Sequence, residues 1–164
     1  MKRETYISLM NYLKDHNGLS ISVKFLYTAL PIIMVIAYPT IVILNLLEGI
    51  NHKLILSIVV PGVTLLGSWV MRKLINKPRP YEKFQYPSLI IKDKKGQSFP
   101  SNHSTCGFVI AMAGFSVNLF VGTGLLIIAL LIALSRVFSG VHYISDVVAG
   151  SVLGILAGLI FIFI

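Results

Sequence analysis

"FLYTALPIIMVIAYPTIVILNLL", residues 25–47, carries no charged side chain. About twenty apolar residues suffice for a helix to cross the hydrocarbon core. A backbone in lipid must also pair its own N–H and C=O groups, which a helix does. The stretch therefore reads as a transmembrane helix, with Pro31 and Pro39 expected to kink it without breaking it. The rest of the chain agrees: 55% of its 164 residues are hydrophobic and only 12% charged. That is too much apolar surface for a soluble domain to bury.

Four further segments have the same character. They are 54–71, which runs into the basic "RKLINKPRP", then 105–121, 123–138 and 143–164. The last has Gly150, Gly154 and Gly158 at the spacing that lets helices approach closely. In residues 1–20, Tyr6, Leu9, Met10 and Leu13 share one face of a helix that Gly18 is expected to stop, which fits a helix lying in the membrane interface. A cleavable signal would need a short apolar core soon after a basic start, so the first span is expected to be retained. The expected fold class is an all-α integral membrane protein, one domain over 1–164, of about five transmembrane helices plus an N-terminal amphipathic interfacial helix.

A formal net charge of +8 points to anionic headgroups or a phosphate-bearing substrate, and no nucleic-acid motif argues otherwise. The single cysteine, Cys106, falls in an apolar run and is assigned no chemistry. His16 and His52 stand without catalytic company and read as surface residues. Lys92, Lys94 and Lys95, in the long basic loop 76–103, read as solvated or touching headgroups.

With five spans, the ends of the second and fourth and the starts of the third and fifth lie on one side of the membrane. That parity gathers Arg72, Arg79, Ser101, His103, Arg136, His142 and Asp146. Ionisable groups at span ends are rare unless they snorkel, pair or line a polar cavity. In "SRVFSGVHYISD", 135–146, His142 precedes Asp146 by four residues, which puts both on one helical face if a helix begins near Val141. A carboxylate there fixes the imidazole tautomer and supports the charge that develops when its other nitrogen attacks an electrophile. The arginines suggest that the electrophile is an anion, because their planar forks suit phosphate oxygens. Ser101 adds a hydroxyl, the first amides of the third span point at the same anion, and His103 can protonate a leaving group and then activate water. This scheme requires no metal or other cofactor.

The three stretches together resemble the type 2 phosphatidic acid phosphatases, lipid phosphate phosphatases that share an active site with vanadium haloperoxidases. The family's Lys, six residues, Arg-Pro corresponds to Arg72, six residues, Arg79 and Pro80. Its Pro-Ser-Gly-His corresponds to "PSNH", Pro100 to His103, and its Ser-Arg, five residues, His, three residues, Asp is matched in full by Ser135, Arg136, His142 and Asp146. The resemblance implies His142 as the nucleophile that becomes phosphohistidine, Asp146 as its orienter and His103 as general acid, with Arg72, Arg79, Ser101, Asn102 and Arg136 holding phosphate. Two departures are visible. Arg72 replaces a lysine, with Lys73 beside it as a possible accessory, and Asn102 replaces a glycine.

The implied activity is hydrolysis of a lipid phosphomonoester or diphosphate, of the phosphatidylglycerol phosphate, phosphatidic acid or undecaprenyl diphosphate class. Its partners are then the lipid substrate and the surrounding membrane lipids. The alternatives are phosphate transfer to a lipid acceptor at the same site, and a non-catalytic lipid-phosphate binder or transporter. The family's usual placement in bacteria puts the site at the outer face of the plasma membrane, whereas the concentration of Lys and Arg on that side argues for the inside. The expectation leans outward.

Overall fold

A computed structural model describes residues 1–163, and among them every regular element is helical. The elements are α1 (Arg3–Asp15), α2 (Asn17–Leu47), α3 (His52–Ile75), α4 (Pro80–Phe84), α5 (Asn102–Ala113), α6 (Leu119–Phe138) and α7 (Ile144–Gly158). Short 3₁₀ turns extend α5 through Ser116 and α7 through Ile162. Four helices, α2, α3, α6 and α7, are long and apolar enough to cross a membrane. This is an integral membrane protein, with residues such as Val35, Leu66 and Leu156 facing outward on the bundle.

The third expected span, 105–121, is not one of them: its place is taken by the shorter α5. Twelve residues rise only about 18 Å, against about 30 Å of hydrocarbon. Val109, Ala111 and Ala113 are fully buried, so α5 is the core around which the longer helices stand. Beyond its polar first turn, the run from Gly107 to Ala113 is apolar on every side, as a helix enclosed by others requires.

Helix limits differ from the sequence expectation at three places. The chain breaks at His16, and Gly18 lies inside the first turn of α2, so α2 starts eight residues before 25. Pro31 and Pro39 are accommodated within the continuous α2. The apolar run 105–121 is interrupted by Asn118, whose side chain accepts from the Val121 amide at 2.9 Å and starts α6 at Leu119 instead of 123. An Asn in an extended conformation offers a helix its first acceptor, and apolarity alone does not register it. Ile164, the end of the last expected span, lies outside the described residues.

Each long helix turns a narrow stripe inward. On α3 the stripe is Leu54, Ser57, Pro61, Thr64, Ser68 and Arg72, mostly small residues at three- and four-residue spacing that end on a cation. On α6 the stripe ends likewise on Ser135 and Arg136, and on α7 it starts with Asp146. Packing that buries the apolar stripes thus delivers the charged ends to one polar end of the bundle. On α7 the glycines let this happen at close range. A Cβ at Gly150 would lie 2.6 Å from Ser101 O and one at Gly154 2.7 Å from Thr105 O, and one at Gly158 would overlap Met112 Cβ.

The amphipathic helix α1 lays its apolar face on protein. Tyr6, Met10 and Leu13 pack with Phe84, Leu89 and Tyr143 in a second cluster at the polar end. The Tyr6 hydroxyl donates to Gly140 O at 3.2 Å, which ties α1 to the loop that carries His142.

Candidate active site

At the polar end lies a cavity of about 320 Å³ whose lining includes Arg72, Arg79, Asn102, His103 and His142. Four of the walls are set by chain segments at helix ends: the last turn of α3, the first turn of α5, the loop after α6 and the long loop 76–101. Arg72 is held by a hydrogen bond from Nη1 to Pro100 O at 2.8 Å. Arg79 is fixed by its Nε donating to Gly96 O at 3.1 Å. Gly96 has a φ of +62°, and a Cβ on it would overlap Asn76 Oδ1, so this anchor needs glycine. Its amide donates to Glu82 Oε2 at 2.8 Å, and the same carboxylate oxygen accepts from the Arg79 amide at 3.3 Å.

His142 is almost fully buried and lines the cavity. Its Nδ1 lies 3.4 Å from Ser98 Oγ and 3.7 Å from Asp146 Oδ2. Ser98 Oγ in turn donates to Asp146 Oδ2 at 2.5 Å. The connection from imidazole to carboxylate therefore runs through a serine hydroxyl: Nδ1–H to Ser98, Ser98 to Asp146. That arrangement leaves Nε2 as the basic nitrogen. Asp146 also accepts from Lys77 Nζ at 2.6 Å, from the Tyr143 amide at 3.2 Å and from Ser145 Oγ at 3.3 Å. A fully buried carboxylate with donors on both oxygens is held ionised and immobile. Burial pushes the His142 imidazole below its ordinary 6.5; the nearby Asp146 carboxylate opposes this, while the charges of Arg79 and Arg72 reinforce it.

Arg136 is buried behind the lining. Its guanidinium stacks 3.7 Å from the Tyr27 ring and Nη2 donates to Tyr27 O at 3.0 Å. Its Nε, also buried, has no partner among the described residues. A buried donor left unpaired costs about 1–3 kcal/mol, and an anion beside it would remove that cost.

The first turn of α5 supplies backbone donors. Thr105 is the first residue whose amide bonds back, to Ser101 O at 2.9 Å, so the amides of Asn102, His103 and Ser104 are free of intrahelical partners. Asn102 sits in ordinary helical backbone as the first residue of α5, and its Oδ1 accepts from Ser68 Oγ at 3.4 Å. Asparagine in the glycine position thus needs no left-handed conformation. His103 opens onto the cavity.

Besides Arg136 and Asp146, which lie behind the lining, two more expected residues stand apart from it. Ser101 is completely buried and accepts from Ser104 Oγ at 3.0 Å; its amide donates to Asp146 O at 2.9 Å, joining α5 to α7 beneath the site. Lys73 is exposed, with its ammonium 3.8 Å from the Trp69 ring centroid, and Arg72 brings the charge of α3 to the cavity. Conversely, Ser98 and Lys77 escape sequence reasoning. Lys77 shows there only as one cation in a basic run, and Ser98 carries no signal. Among the described residues no three His, Cys, Asp or Glu side chains gather as a metal-binding group.

Residues 52–164 match the family described as the PAP2 superfamily. The chain is 31% identical over 153 residues to the undecaprenyl-diphosphatase BcrC of Bacillus subtilis (strain 168), covering 91% of this chain and 77% of that one. It is 33% identical over 142 residues to the putative undecaprenyl-diphosphatase YbjG of Escherichia coli (strain K12), covering 84% and 65%. With the bacitracin transport permease protein BcrC of Bacillus licheniformis it shares 32% identity over 111 residues, 66% of this chain and about half, 54%, of that protein. Among solved structures, LpxE of Aquifex aeolicus superposes with a TM-score of 0.72 at 23% identity, covering 98% of this chain and 94% of the other. A transmembrane PAP2 type phosphatidylglycerolphosphate phosphatase from Bacillus subtilis superposes with a TM-score of 0.61 at 21% identity, covering 96% and 90%.

Proposed function

This chain belongs to the PAP2 superfamily, and from that premise we propose that it is a membrane phosphatase that hydrolyses a lipid phosphate through a phosphohistidine on His142. The observation that carries the reading is His142 itself. It is buried at the wall of a cation-lined cavity, with Nδ1 toward Ser98 and Asp146 and with Arg72 and Arg79 beside it. A neutral imidazole whose Nδ1–H is held in this way presents Nε2 to phosphorus.

In the first step Nε2 forms a bond to phosphorus while the bond from phosphorus to the leaving oxygen breaks, its electron pair going to that oxygen. Arg72, Arg79, Arg136 and the free amides of α5 balance the charge on the equatorial oxygens. His103 donates a proton to the departing oxygen. In the second step His103 takes a proton from water, the water oxygen bonds to phosphorus, and the N–P electron pair returns to Nε2. Asp146 orients, and Ser101 shapes the turn from beneath. No metal is needed for either step.

A second cavity of about 230 Å³, apolar and lined by Pro31, Met34, Cys106 and Ile110 among others, shares Asn102 and His103 with the first. It supports a substrate whose tail stays between the helices. The reading includes an active site that opens at the outer face of a bacterial plasma membrane.

The test is phosphate release by purified protein with a chelator present. Wild type is expected to release inorganic phosphate, to be inhibited by vanadate, and to trap an acid-labile phosphoenzyme. His142→Ala should lose at least about a thousandfold in rate and the phosphoenzyme with it. Equal release by wild type and His142→Ala, or dependence on an added divalent metal, overturns the mechanism.

A further inference from the structure

Phosphatase chemistry, on which the inference rests, needs cations for one phosphoryl group, and the cavity holds more. Arg72, Arg79, Lys92 and Lys94 all line it, and no carboxylate does. Lys94 feels burial first and then the charges of Arg72 and Arg79, which lower its proton affinity. Lys92 lies 5.7 Å from the ring of Tyr27, the ring on which Arg136 is stacked, and its charge also acts on His103.

That is the leaving-group side. Tyr27 is one helical turn before Pro31, where the apolar cavity begins, and His103 lines both cavities. Lys92 and Tyr27 thus line the polar cavity, which meets the apolar groove at Asn102 and His103.

We propose that Lys92, over Tyr27, forms a second anion subsite that holds the inner, lipid-linked phosphate of a lipid diphosphate, so that the protein selects diphosphates over monophosphates of the same alcohol. In such a substrate His142 attacks the terminal phosphorus, and the bond to the bridging oxygen breaks with its electron pair passing to the inner phosphate. The lipid monophosphate departs with an extra negative charge, which an ammonium beside it offsets. A departing phosphate is a weaker base than an alkoxide and depends less on a proton from its acid.

The experiment compares kcat/KM for the diphosphate and the monophosphate of one polyprenyl alcohol, using the full chain in detergent. Lys92 and Lys94 are exposed, so their variants should fold. Lys92→Ala is expected to lower the diphosphate-to-monophosphate ratio about tenfold, the worth of one charge-assisted hydrogen bond. Lys92→Arg should restore most of it. Lys94→Ala should weaken both substrates alike, because both present a terminal phosphate. If wild type cleaves both compounds and Lys92→Ala leaves the ratio unchanged, or lowers both equally, the subsite is refuted and the phosphatase reading stands. If wild type releases phosphate from neither, the phosphatase reading falls and takes this one with it.

Discussion

Ser98 is the residue whose contacts change the chemistry most. A direct bond between His142 and Asp146 would make the aspartate the sole orienter, but their separation of 3.7 Å is bridged by the Ser98 hydroxyl. Ser98→Ala removes one hydrogen bond from the imidazole and one from the carboxylate. The expected result is a fall in kcat of about tenfold, with KM little changed, since the hydroxyl holds the nucleophile and not the substrate. The pH profile is a second measure. Attack requires neutral His142, and burial lowers its proton affinity below the ordinary value of 6.5. The acid limb of kcat/KM should therefore fall below that value, with the neutral form retained through mildly acidic solution. Asp146 opposes the shift, so Asp146→Asn should move the acid limb further down while lowering the plateau.

Among the elements, the contact of α7 with α5 carries the site. Gly150 stands against the carbonyl of Ser101, whose amide is bonded to Asp146 O. A methyl group on Gly150 must push backbone and not a flexible side chain. Gly150→Ala is expected to cost about 1–3 kcal/mol and to lower phosphate release as well. Gly124, on α6, has open space where its Cβ would be, and Gly124→Ala should instead stabilise by about 0.5–1 kcal/mol through helix propensity. Thermal unfolding in one detergent, followed beside activity, separates the two. A comparable loss at both positions would show that the close approach of α7 does not matter.

For the whole molecule, parity and charge pull in different directions. The four spanning helices and the shorter α5 bring the ends of α3 and α6 and the starts of α5 and α7 together, and most of the Lys and Arg with them. Charge counting would turn that end inward, yet Arg72, Arg79 and Arg136 are buried around the cavity and Lys77 is paired with Asp146. These cations are held by the fold and do not serve as free topogenic charges. A Lys95→Cys variant in a Cys106→Ala background should react from outside intact cells with an impermeant maleimide. Labelling only after permeabilisation would place the site inside.

Membrane class, the GxxxG-like face and the histidine, aspartate and arginine set were legible because each depends on local composition or on short spacing, which folding does not alter; the number of spans was not, since the expected third is the short buried α5. Twenty apolar residues are a span wherever their neighbours lie, and a four-residue step keeps His142 near Asp146, although α7 starts at Ile144 and leaves His142 in the loop before it and not on the expected helical face. The Ser98 bridge, the Lys77 pair, the turning away of Lys73 and the withdrawal of Ser101 from the cavity were not legible. Ser98 meets Asp146 across 48 positions and Lys77 across 69, and only the burial of the helix stripes brings those positions together. A hydroxyl or an ammonium has no fixed partner until packing decides which acceptor lies within its reach, and here the packing of α3, α5, α6 and α7 made that choice.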